Sequence, residues 1–187
     1  MKRILAVACG LLLSWNASAL EVAGVKLPDT AQVGSASLQL NGAGIRTKLF
    51  FKIYVSALYL PQKQASAEAI IADEREHRVD LHIMRDLSSE KLLNAFNEAI
   101  EANHTKEELG ALDGQLKEMA QIFNAVKEVK PGDVIALDYL PASGTQISVN
   151  GAARGTIAGA AFNRALLKIW LGNKPAQDDL KKAMLGG

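Results

Sequence analysis

Cysteine is nearly absent: the 187 residues contain one, Cys9. A lone cysteine forms no internal disulfide and no paired-thiol metal motif. Histidine is scarce too, with His77, His82 and His104. His77 and His82 are five apart on an expected strand, so they point to opposite faces and do not chelate one metal together. No HExxH motif, phosphate loop or Gly-x-Ser-x-Gly elbow occurs. Gly42-Ala43-Gly44 opens like a dinucleotide loop, but Thr47 replaces the third glycine and the segment leads into a strand. No cofactor and no metal is expected. The charges nearly cancel, with 21 basic and 20 acidic residues, which gives no overall electrostatic reason to expect nucleic acid or a membrane surface. Glu98, Glu101 and Asp138 read as solvated helix faces or sheet edges, not general acids.

One long apolar run stands at the start. Lys2 and Arg3 precede Ile4 to Leu13, and Ala17-Ser18-Ala19 follows, which is the order of a cleavable export signal. The run is too short to span a bilayer. Apolar residues continue past Cys9, unlike a lipoprotein signal. Cleavage is expected after Ala19, leaving residues 20–187 as a single domain outside the cytoplasm, in the periplasm. Lys2 and Arg3 leave with the signal, so the 21 basic residues become 19. No later stretch is of membrane-spanning length.

The remainder reads as strands, helices, strands, then helices, an α+β order. Leu20 to Leu27 is expected as one strand and Ala36 to Leu40 as another, ended by Asn41-Gly42-Ala43-Gly44. Ile45 to Leu60 is one long bent strand or two. His77 to Met84 alternates, with Val79, Leu81 and Ile83 on one face. Ser88 caps a helix to about Ala102. Thr105 to Glu108 forms a capping-box signature. A single helix is expected behind it, with Leu109, Leu112, Leu116, Met119 and Phe123 as a core stripe. Val134 to Leu140 and Thr145 to Val149 are strands, and Asn150-Gly151 marks a hairpin into Arg154 to Ile157. A helix from about Ala158 to Leu171 stops at Gly172, and a last one covers about Gln177 to Leu185.

Two segments carry a resemblance. One is Asn41 to Arg46 with Phe51 to Leu60. The other is Asn150-Gly151 and Ile157, then Phe162 to Gly172, Pro175 and Leu180-Lys181. In this order and spacing they resemble the chalcone isomerase fold, specifically its exported bacterial branch. The resemblance implies an open-faced β-sandwich: a large antiparallel sheet wrapped around a layer of helices, with a ligand cleft between. It also implies that Arg46 lies in that cleft, where the plant enzymes polarise a substrate and the plant fatty-acid-binding members hold a carboxylate. Ile169 and Trp170 match cleft-lining positions. Two departures weaken the catalytic set. Tyr54 stands where the enzymes have a threonine, and Leu112 stands near the place of their ketone-activating tyrosine.

On an unbroken strand Arg46, Lys48, Phe50, Lys52 and Tyr54 share one face, and Leu49, Phe51, Ile53 and Val55 share the other, which is expected to be core. The first face suits an amphiphilic ligand and equally a solvated surface. The expected ligand-binding residues are Arg46, Tyr54, Ile169 and Trp170, with Arg46 the one catalytic candidate. Three functions are in view. The first is a non-catalytic binder of a small apolar molecule with an acidic head, such as a fatty acid. The second is an intramolecular lyase acting on an unsaturated carbonyl. The third is an envelope protein-interaction module.

Overall fold

The structure is a computed structural model that describes residues 19–187. The expected signal, apart from Ala19, lies outside the described residues. Among them, no helix is long and apolar enough to cross a membrane.

The chain opens with β1 (Leu20–Val22) and β2 (Val25–Leu27), a hairpin and not the single strand expected. Ala23 and Gly24 both have positive φ, the backbone of a tight two-residue hairpin turn, and alanine gives little sequence sign of it. Next come β3 (Thr30–Val33), β4 (Ala36–Lys48) and β5 (Phe51–Leu60). Then follow α1 (Ala67–Ala72), β6 (His77–Ile83) and the short β7 (Leu87–Ser88). A helical stretch holds α2 (Ser89–Ala102), α3 (Lys106–Ala111) and α4 (Asp113–Val126). The chain closes with β8 (Glu128–Val129), β9 (Val134–Leu140), β10 (Gly144–Val149), β11 (Ala152–Ile157), α5 (Ala160–Leu171) and α6 (Asp178–Met184).

Seven strands form one antiparallel sheet in the order β11-β10-β9-β6-β5-β4-β3. Helices cover one face. There Leu58, Val79, Leu81, Ile83, Ile135, Leu137 and Ile147 meet Phe162, Leu166, Ile169 and Trp170 of α5 in the main core. The other face carries a smaller core of Leu27, Val33, Leu38, Leu40, Val55, Ala57 and Tyr59. This is the α+β, open-faced arrangement expected. The expected α4 stripe is a core face: Leu112 and Met119 are buried, and Leu109, Leu116 and Phe123 pack against them. The single helix expected there is broken at Leu112, whose φ and ψ (−103°, 2°) leave the helical region. Gly110 and Gly114 bracket the break, and glycine weakens helix continuity.

Two corrections bear on function. β4 does not end at Leu40 but runs through Asn41-Gly42-Ala43-Gly44 to Lys48. The Ile45–Leu60 stretch is two strands, one of the two readings open from the sequence, divided at the tight turn Leu49-Phe50. A register shift beside Arg46 leaves Ile53 without an opposite residue, so the alternation of faces breaks there. Leu49 and Phe51, expected in the core, are therefore exposed, whereas Val55 is fully buried.

Candidate functional site

The Asn41–Arg46 motif splits into packing residues and one functional candidate. Asn41 is the extra residue of a β-bulge between the Leu40–Tyr59 and Gly42–Leu58 pairs. Its buried side chain donates to the carbonyls of Met184 (2.8 Å) and Gln64 (3.0 Å) and accepts from the Gln64 N–H (2.7 Å). It thereby fastens the end of α6 and the loop after β5 to the sheet. Gly42 and Gly44 let α6 lie directly on β4. A methyl group at Gly42 would collide with the Ala183 carbonyl oxygen, and one at Gly44 would come within 2.7 Å of Ala183 Cβ.

Beyond residue 40, β4 has no strand partner on its outer side, since β3 pairs only with Ala36 to Gln39. Gln177, at the start of α6, supplies one. Its Oε1 accepts from the Thr47 N–H (2.9 Å) and its Nε2 donates to the Ile45 carbonyl (3.4 Å), as a neighbouring peptide would. This side chain also sets Arg46, whose Nη1 donates to Gln177 Oε1 (3.3 Å) and to the Thr47 carbonyl (2.9 Å). Arg46 is half-buried, and among the described residues no carboxylate pairs with it. Its Nε and Nη2 have no hydrogen-bond partner there.

Tyr54 stands directly across from Arg46 in the β4–β5 ladder. Trp170 of α5 donates its indole N–H to the Tyr54 hydroxyl oxygen (3.1 Å). Burial raises the pKa of that hydroxyl, while the Trp170 hydrogen bond and the Arg46 charge pull it back. The phenol is therefore protonated at neutral pH. Its oxygen is already accepting, so its own proton is available to give. Arg46, Tyr54 and Trp170 thus place an unspent guanidinium edge beside a phenol donor at the rim of an apolar core. Ile169, the fourth expected residue, is buried in that core.

A profile of the family described as chalcone isomerase-like matches residues 19–186. The chain belongs to that family. No curated protein matches the sequence. Among solved structures, a fatty-acid binding protein of Arabidopsis thaliana is similar. It shows a TM-score of 0.67 and 17% identity, over 87% of this chain and 92% of that one. At that identity the likeness shows the shared fold.

Against the chalcone isomerase-like background, Leu112 is a buried residue at the α3–α4 break and offers no donor. Two open concavities lie away from Arg46. One is about 490 Å³ between α2, α3 and α4, bordered by Ile100, Leu109 and Leu116. The other is about 330 Å³ between α4 and β11, bordered by Ile122 and Arg154. His77 and His82 do face opposite ways: His77 reaches Asn163 of α5 (3.0 Å), and His82 is aligned with Val55 of the opposite core. Glu98 and Glu101 are exposed as expected, but Asp138 is not a solvated sheet edge. It takes a bidentate ion pair from Arg78.

Two polar features have no sign in the sequence. Gln177 carries no motif, and its role depends on where α6 docks. The Arg78–Asp80–Asp138 group, of which Asp80 is buried, needs the pairing of β6 with β9 to be seen.

Proposed function

We propose that this protein binds, without transforming it, a small amphiphile with an apolar body and a carboxylate head, such as a fatty acid. We place that role outside the cytoplasm, after removal of residues 1–19. The observation that carries the reading is Arg46: half-buried, held by Gln177, without an acidic partner among the described residues and standing across the strand ladder from Tyr54. A desolvated cation is costly unless an anion meets it. A carboxylate takes two parallel N–H bonds from guanidinium Nε and Nη2, and the Tyr54 proton adds a third. The tail, where it covers apolar side chains, contributes most of the affinity, at about 0.8 kcal/mol per buried methylene. Arg46 then selects the head and fixes orientation. That a protein of the same fold is a fatty-acid binding protein supports this reading.

The lyase alternative draws only on Arg46 and Tyr54 as polar groups, with Leu112 in place of a second activating hydroxyl. A panel of chalcones and related enones tests it, and turnover lost in Arg46→Ala would favour it over binding alone.

The binding test compares a fatty acid with the alcohol of equal chain length by calorimetry. Arg46→Ala is expected to weaken the acid by roughly 10- to 100-fold, the size of a charge-assisted hydrogen-bond loss, and to leave the alcohol nearly unchanged. Equal affinity of wild type and variant for the acid would sink the reading. Native mass spectrometry of protein recovered from the periplasm, before and after organic extraction, identifies the natural ligand. The same spectra report whether the chain begins at Leu20.

A further inference from the structure

Four large apolar side chains are exposed among the described residues, and three of them are consecutive: Leu49 (85%), Phe50 (97%) and Phe51 (54%). They form the tip of the β4–β5 hairpin, where Lys48 pairs with Phe51 across a two-residue turn. Leu49 takes φ 57°, a conformation in which glycine is favoured and a bulky residue is strained. Local stability therefore disfavours this tip twice, through strain and through exposed apolar surface. Cations surround it. Lys48 and Lys52 flank the turn and are exposed, and the Arg85 guanidinium lies 4.2 Å from the centre of the Phe51 ring. No acidic residue occurs between Asp29 and Glu68, a span that carries Arg46, Lys48, Lys52 and Lys63. Asp86, the acid beside Arg85 in sequence, is exposed and lowers this local excess by one charge. The even overall balance thus conceals a hairpin of one sign.

We propose that this tip docks the protein onto an anionic lipid surface. Leu49, Phe50 and Phe51 enter the boundary between head groups and acyl chains, and Lys48, Lys52 and Arg85 meet the lipid phosphates. The shape favours a bilayer over a protein. Three side chains on a two-residue turn form a convex point, not the roughly 800 Å² per partner of a stable protein pair. Arg46 and Tyr54 lie three to four residues below the turn, about 10 Å at the rise of a strand. Docking therefore brings the head-group site to the level of the lipid head groups. The inference stands on the tip itself and holds whether or not Arg46 binds a carboxylate.

Co-sedimentation of residues 20–187 with vesicles tests it. The protein is expected to sediment with mixed phosphatidylglycerol and phosphatidylcholine vesicles, less with pure phosphatidylcholine, and less again as salt rises. Phe50→Ser with Phe51→Ser is expected to reduce sedimentation by about tenfold or more. Its thermal midpoint and its fatty-acid affinity in solution should match wild type, which separates failure of docking from failure of the Arg46 site. Lys48→Gln with Lys52→Gln is expected to lose the preference for phosphatidylglycerol and keep the weaker phosphatidylcholine binding. Wild-type protein that stays in solution with anionic vesicles overturns the proposal, as does unchanged sedimentation of the double serine variant. So does a wild-type dimer that the serine variant converts to monomer, which would assign the tip to a second copy of the chain.

Discussion

The two ends of the β4–β5 hairpin solve opposite problems. At one end Asn41, Gly42 and Gly44 disappear beneath α6, and Tyr59, Ala57 and Val55 fill the second core. At the other end, three residues past Arg46, Leu49 and Phe50 project with almost no protein around them. The strands are continuous, so backbone propensity does not distinguish the ends. What differs is the partner: a helix of this chain at one end, and none among the described residues at the other. Exposed apolar side chains and cations gathered on a strained turn are what packing within this chain does not account for and the docking proposal does.

The comparison breaks most visibly at the packed end. Gly42→Ala drives a methyl group into the Ala183 carbonyl, and the backbone there has no flexible side chain to yield. A loss of about 3 kcal/mol is expected, at the upper range of overpacking costs, read by urea denaturation. Near-wild-type stability would show that α6 is not seated on β4 as described.

Part of this contrast is legible in the sequence and part is not. Strands β6, β9, β10 and β11, the Ser88 and Thr105 caps and the Gly172 stop follow from alternation, turn residues and capping chemistry. Asn150 (φ 52°) and Gly151 (φ 76°) form the expected hairpin turn. The continuation of β4 through Asn41 to Gly44 was hidden because glycines within a run read as a breaker. Here they are required by a helix more than 130 residues away in sequence. Helix α1 is only six residues long, too short to show a period. For the site, Arg46, Tyr54 and Trp170 were expected and the structure brings them together, but Gln177 and the exposed tip were not. Two register shifts in one ladder invert the faces that simple alternation assigns.

The packed end also holds a buried charge that packing alone does not require. Asp80 sits beside Ala57 in the ladder, with Arg78 at 3.6 Å and one carboxylate oxygen lacking a hydrogen bond. Burial pushes its carboxyl up to about 7, with Asp138 adding to the rise and Arg78 opposing it. An unfolded aspartate ionises near pH 3.9. Between about pH 4 and 7 the folded state keeps a proton that the unfolded chain has released, so stability falls as pH rises through that window. Asp80→Asn removes the titration. It is expected to raise stability by about 2 kcal/mol at pH 8, against a ceiling of about 4 for three units, and by almost nothing at pH 3.5. Thermal midpoints across that range check the sign. Destabilisation at pH 8 would mean that an ionised Asp80 is paired productively with Arg78.

The smallest expected effect sharpens the bare end. Leu49→Gly relieves a left-handed conformation that costs an L-residue about 1–2 kcal/mol and gives back part of that gain through the greater freedom of glycine in the unfolded chain. A net gain of about 0.5–1 kcal/mol is expected in urea denaturation, together with weaker sedimentation on phosphatidylglycerol vesicles. A change that makes the fold more stable and docking poorer separates the two roles at a single position. If Leu49→Gly instead destabilises the protein, the leucine is holding the hairpin together, and the contrast between a packed end and a bare end loses its footing.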